Sequence, residues 1–159
     1  FVMVEVFHHP NNVYVIKFYL KKHRNSDRRY NLLYPNKFKK RRGAINGSKC
    51  FLMVMNIVFM IGLEILKEDP NTSFGYMGAP IKEEEENTEK INSDGTISDT
   101  KRYKIYLSYV KRYFDPKSFE YLDSKETSIM LLRNNNNRTT LTKQVAEKYI
   151  KDIVIPNLL

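Results

Sequence analysis

The run KCFLMVMNIVFMIGLEILKE, residues 49–68, decides what kind of fold this chain can adopt. From Cys50 to Leu66 only Asn56, Gly62 and Glu64 interrupt the apolar residues. A membrane-spanning helix needs about 20 predominantly apolar residues. This stretch falls slightly short and carries Glu64 near its end. Apolar on nearly every side, it reads instead as a central helix, covered by sheet on one face and by other helices elsewhere. Ser48 supplies a cap at its start, and Lys67, Glu68, Asp69 and Pro70 end it.

On the N-terminal side the pattern is that of strands. VYVIKFYL (13–20) is dense in β-branched and aromatic residues. With FVMVEVF (1–7) and the turn residues His8-His9-Pro10-Asn11-Asn12 it makes a hairpin with a five-residue loop. RRYNLLY (28–34) reads as a third strand, closed by Pro35-Asn36, and KFKKRRGAING (37–47) as a basic, glycine-containing loop.

On the C-terminal side SFGYM (73–77) reads as a buried strand, with Gly75 and Gly78 marking close backbone approach or a turn. Residues 80–99 are polar, with four consecutive glutamates at Glu83–Glu86, and are expected to be a long mobile acidic loop. DTKRYKIYLSYVKRYFDP (99–116) is an amphipathic helix. Tyr103, Tyr106, Leu107, Val110, Tyr113 and Phe114 share one side; Lys101, Lys104, Ser108, Lys111 and Arg112 share the other. Asp99 or Thr100 caps it and Asp115-Pro116 stops it. Residues 118–122 form a short strand or turn, SIMLLR (128–133) a strand, and 140–155 a last helix with Leu141, Val145, Tyr149, Ile150 and Ile153 inward.

The order is β-β-β-α-β-α-β-α. It predicts an α+β fold: a mixed or mainly antiparallel sheet of about five strands, the central hydrophobic helix, and helices packed on one side of the sheet. A length of 159 residues with 42% apolar content suits a single domain over 1–159 with a core that needs neither disulfide nor metal. The one cysteine, Cys50, lies in the apolar run and reads as a buried thiol. It fits a reducing compartment. The apolar start is too short for a signal peptide and has no basic lead, so a cytoplasmic location is expected.

The formal charge of +9 is unevenly spread. Residues 1–49 hold 12 Lys/Arg and 2 Asp/Glu, residues 64–99 hold 3 and 10, and residues 100–159 hold 12 and 6. Two cationic segments therefore flank an acidic one. The first cluster is Arg28, Arg29, Lys39, Lys40, Arg41 and Arg42, with Lys37 and Phe38 among them. The second is Lys101, Arg102, Lys104, Lys111 and Arg112. Lysine and arginine neutralise phosphates and release counterions, and interleaved aromatics stack on bases. The competing expectation is that these cations pair with the acidic segment.

Other chemistry is sparse. His8, His9 and His23 show no metal-binding spacing, and adjacent His8 and His9 on a strand point to opposite faces. Four consecutive glutamates lack the alternation and glycine of a calcium loop. Gly75-Tyr76-Met77-Gly78 lacks the Lys and Ser/Thr of a phosphate loop. No metal and no cofactor are expected.

Residues 50–133 resemble a group of small bacterial proteins, common among Bacteroidota, that has no established activity. Its pattern is a hydrophobic helix, an acidic residue and proline, a short strand, a loop, and a helix reading R-x-R-[LF]-[FY]. The matching text is ILKEDPNTSFGYMGA, then KRYKIY and VKRYF, with Lys104 in place of the second arginine. The resemblance implies a fold and a site at residues 101–106, and no mechanism.

Three functions follow as expectations, leaving open whether the chain is an enzyme. The first is a module binding RNA or DNA backbone through the two clusters. The second is a protein-interaction component of a toxin–antitoxin or defence pair, its partner an acidic protein or a second copy of the chain. The third is a metal-independent ribonuclease with Arg28, Arg29, Lys101, Arg102 and Tyr103 around the phosphate and His8, His9 or Glu5 as base.

Overall fold

The computed structural model describes residues 1–30 and 47–155. Strands β1 (Val2–His9) and β2 (Val13–Leu20) pair antiparallel from Val2↔Leu20 to His9↔Val13. The connection is shorter than expected: Pro10–Asn12, with Asn11 and Asn12 at positive φ. Asparagine tolerates that conformation better than most residues. Residues 27–30 form turns rather than the start of a strand, and the remainder of that expected strand lies outside the described residues, as does the basic loop up to residue 46, Gly47 already being helical.

Helix α1 (Gly47–Glu68) carries the chain across to β3 (Ser73–Met77), which lies parallel to β2. Parallel neighbours require such a crossover. After the short α2 (Lys82–Glu85) and a turn of 3-10 helix at Thr88–Lys90 come α3 (Lys101–Tyr113), β4 (Phe119–Ser124), β5 (Ile129–Asn134) and α4 (Lys143–Tyr149). A π-helical turn, Ile150–Val154, extends α4. The five-stranded sheet has the order β1-β2-β3-β5-β4. Three of its four pairings are antiparallel, so the sheet is mixed and mostly antiparallel, as the α+β reading required.

The main core lies between the sheet and the pair α1/α3. Met55, Phe59, Phe74, Val110, Phe114 and Leu132 are its buried centre. Phe59 stacks flat on Tyr76 with ring centroids 5.3 Å apart, and Phe114 packs on Phe59, Phe74 and Phe119. Burying a side chain of this size contributes roughly 1.5–3 kcal/mol.

One expectation is corrected here: the helices do not all lie on one side of the sheet. Successive strand residues point to opposite faces, so Met130 and Leu132 face α1 and α3 while Leu131 faces the other way. There Leu131 and Val13 meet Leu141, Ala146 and Tyr149 of the α4 region. The reason is in β5, which is buried at every position and apolar in both phases, so each face needs a cover. A polar clamp holds this second layer. Glu120 accepts a hydrogen bond from buried Arg133 and pairs with Lys143 at 3.1 Å. Arg133 also donates to the carbonyl of Leu141. The last helix starts later than expected, capped by Thr142, and Ile153 is exposed rather than inward.

α1 also departs from expectation. Its inner face is buried at Val54, Met55, Val58 and Phe59, but among the described residues α3 is the one helix whose rings pack beside it. Leu52, Met53, Ile57 and Met60 stand 43%, 56%, 53% and 50% exposed. The Cys50 side chain lies outside the described residues. No helix among the described residues is long and apolar enough to cross a membrane.

Residues 80–99 fold against the body instead of forming an open loop. Glu84 is buried and accepts hydrogen bonds from the backbone N–H groups of Ile81 and Lys101. Its carboxylate thus meets the positive end of the α3 dipole. Ile91 and Ile97 form a β-bridge around a turn in which Asp94 accepts from Thr96.

Candidate functional site

Helix α3 is built as its pattern predicts. Thr100 caps it, accepting from the N–H of Tyr103 at 3.1 Å and donating to the carbonyl of Gly78 at 2.7 Å. Gly78 is a glycine for a local reason: a Cβ there would stand 2.4 Å from the Thr100 hydroxyl and 2.5 Å from the Tyr103 nitrogen. The end of β3 therefore lies directly against the start of α3. Tyr103, Tyr106 and Val110 are buried beneath the helix. The Tyr103 hydroxyl donates to Asp123 at 2.6 Å, and burial together with that carboxylate pushes its pKa up.

On the outer side Lys101, Lys104, Ser108, Lys111 and Arg112 are all exposed. Lys104 pairs with Asp99 at 2.9 Å, and Arg112 lies over the Tyr113 ring. Arg102 is not part of this face. It is buried, and its guanidinium donates to the carbonyl of Tyr30 at 2.8 Å. The helical period explains this: Arg102 stands four residues before Tyr106, on the aromatic stripe, and burial lowers its pKa.

The first cluster is divided. Arg28 is exposed and tied to Glu85. Arg29 lies over the rings of Tyr19 and Tyr30 at 5.3 and 4.6 Å. Lys39, Lys40, Arg41 and Arg42 lie outside the described residues. The acidic segment meets the cations at Arg28 and at the start of α3, as the pairing expectation anticipated in part.

His8 and His9 are engaged structurally. His8 stacks on Tyr14 with centroids 4.3 Å apart, whereas His9 meets the edge of Tyr149 on the α4 side. They face opposite ways, as adjacent strand residues must, and burial lowers the His9 pKa. Glu5 accepts from Tyr30 at 2.5 Å and from Tyr19 at 3.0 Å. The Tyr30 bond holds its carboxyl below the ordinary carboxylate value. Lys17, opposite Glu5 across the hairpin, lies over the Tyr30 ring, and burial lowers its pKa. Tyr30 thereby links Glu5, Lys17 and Arg29 to Arg102 of α3. Among the described residues no group of three or more His, Cys, Asp and Glu is arranged to hold a metal ion.

The sheet opens beside this cluster. β2 and β3 pair only at Val13↔Ser73, Tyr14↔Phe74 and Val15↔Gly75. Beyond them β2 stays with β1, and β3 with β5. A cleft of about 480 Å³ occupies the gap at the carboxyl ends of the two parallel strands. Crevices in that position are where open α/β sheets hold ligands. Lys17, Tyr76, Arg102 and Tyr106 contribute to its wall with Val15, Ile16, Phe18 and Val58. Sequence reasoning missed Lys17 and Tyr76, because a strand residue carries no mark showing where its sheet will divide; Tyr106 lies within the stretch 101–106 that the resemblance implied. Arg102 carried a signal in its spacing from Tyr106.

Comparison with protein-family models, curated proteins and solved structures gives no match, so any functional reading rests on this geometry.

Proposed function

We propose that this chain binds nucleic-acid backbone through the outer face of α3. The observation that carries the reading is the exposed stripe of Lys101, Lys104, Lys111 and Arg112 on one side of a well-capped helix. From Lys101 to Arg112 the rise is about 16 Å. That length spans roughly five phosphates of one strand at about 3.4 Å each. The pairing of Lys104 with Asp99 does not block such use, since exposed ion pairs contribute only about 0–1 kcal/mol. Arg28, Lys39, Lys40, Arg41 and Arg42 are candidates for further backbone contacts by their charge.

The test is fluorescence anisotropy with mixed-sequence single-stranded RNA at 50 and 300 mM salt, concentrations chosen to bracket the strong salt dependence of backbone binding. Wild type should bind in a salt-sensitive way. Replacing Lys101, Lys104, Lys111 and Arg112 with alanine should abolish binding. With about four phosphate contacts the logarithmic salt slope should be about −3. Binding that ignores salt, or survives the fourfold replacement, would sink the reading.

A second reading, a protein-interaction component, is favoured by the bare outer face of α1. Four large apolar side chains at Leu52, Met53, Ile57 and Met60 are at least 43% exposed there. Contiguous exposed apolar surface marks interfaces. Its test is sedimentation of the chain together with co-purification from its host; a clean monomer with no companion would count against it.

A further inference from the structure

The cleft between β2 and β3 has a wall that asks for a ligand. Tyr76 lines it, and the Tyr76 hydroxyl is buried without a hydrogen-bond partner. An unmet buried hydroxyl costs stability that folding recovers nowhere else. Burial pushes the Tyr76 pKa far up, so the group stays a neutral O–H donor. The Tyr106 ring is its neighbour, with centroids 6.3 Å apart. Arg102 lies one turn before Tyr106 on the same stripe of α3, its guanidinium buried at the same wall. Lys17 reaches the cleft from β2, half-buried.

Three polar side chains of this wall donate, Lys17, Arg102 and the unpartnered Tyr76 hydroxyl, while Asp27 and Glu85 accept. Of the charged residues lining the cleft, Lys17, Arg28 and Arg102 are cationic and Asp27 and Glu85 anionic, a balance of +1. Arg28 and Glu85 satisfy each other. Much of the remaining wall is apolar, at Val15, Ile16, Phe18 and Val58, with Thr96 and Thr127 adding hydroxyls. The volume is within the range of small-molecule sites, about 300–1,000 Å³, and such sites combine apolar walls with a few placed polar groups.

We propose that this cleft binds a small organic carboxylate. Its acid head sits among Arg102, Tyr76 and Tyr106, and its apolar body lies against Val15, Ile16, Phe18 and Val58. A carboxylate accepts hydrogen bonds and supplies none, which matches the donors of Arg102 and Tyr76. The site is separate from the outer face of α3, and its occupancy does not depend on nucleic-acid binding.

The experiment is isothermal titration of the full chain with 1-naphthoate and octanoate, each against its neutral amide. At least one acid should bind, and its amide should bind about tenfold more weakly, since charge-assisted hydrogen bonds are the stronger class. Arg102→Met should abolish binding. Because that change also removes the bond to Tyr30, Tyr76→Phe serves as the second variant. It deletes only an unpartnered hydroxyl, so the free protein should melt no lower than wild type while acid binding weakens at least fivefold. The proposal is overturned if neither acid binds, if acids and amides bind alike, or if Tyr76→Phe binds the acid as well as wild type.

Discussion

Helices α1 and α3 lie on the same face of one sheet, and Phe59 of α1 packs on Tyr109 and Tyr113 of α3. Their outer faces are opposite in kind. α3 turns lysine and arginine to solvent, and α1 turns leucine, isoleucine and methionine. Shared packing therefore constrains only the inner stripe of each helix. The outer stripe is free to vary, and there the surfaces differ in what they suit: the proposed polyanion for α3, an apolar surface for α1.

The largest expected effect sharpens the contrast within α1 itself. Phe59 is wholly buried and Met60, the next residue, is half exposed. Phe59→Ala should cost about 3–5 kcal/mol in urea unfolding. Met60→Ala should stay within about 0.5 kcal/mol for the isolated chain. A large, concentration-dependent cost at Met60 would show that the outer face of α1 is covered in solution.

Next in size is the far side of the sheet, where polar groups do the holding. Glu120→Gln weakens the clamp on buried Arg133 and should cost about 3 kcal/mol, the low end for a broken buried pair. Burial alone would raise the Glu120 pKa, but the hydrogen bonds from Arg133 and Lys143 prevail and hold it below the ordinary 4.5. A depressed carboxyl stabilises the fold fully above its unfolded value and loses that contribution as pH falls through the folded value. Wild type should therefore lose stability below about pH 4.5, and Glu120→Gln should show a flatter acid limb in pH-dependent melts. Equal acid limbs would remove Glu120 from the account.

A smaller change probes how α3 is seated. Gly78→Ala must push the end of β3 away from Thr100 and Tyr103, with a cost of about 1–3 kcal/mol. An unchanged melting temperature would mean that this approach is looser than 2.5 Å implies. The smallest effect on stability belongs to the outer cations of α3. Alanine at Lys101, Lys104, Lys111 and Arg112 should move the unfolding free energy by only a few tenths of a kcal/mol per site. If those changes unfold the protein, the stripe is structural, and the comparison with α1 fails.

Much of this fold can be read along the chain. The strand at 13–20 and the alternation around it specify the hairpin. The period of α3 identifies its buried tyrosines and its cationic face, and Gly78 announces a close approach. Local pattern suffices in these places because each residue's surroundings are set by neighbours a few positions away. β4 was less legible, since FEYLDS mixes charge and aromatics and becomes a strand only through its pairing with β5.

Tertiary structure alone decided the rest. Whether α1 is covered all round depends on how many elements reach it, and an all-apolar helix carries no mark of its bare side. The role of Glu84 at the start of α3 joins residues 17 positions apart. The cleft exists because β2 and β3 part after three pairs, and no single strand encodes that separation. Sequence by itself determined the hairpin, the long helices, most of their inner stripes and the two outward charge patterns. Only the assembled sheet decided which faces stay open and which side chains meet across the gap, because those contacts join residues far apart in the chain.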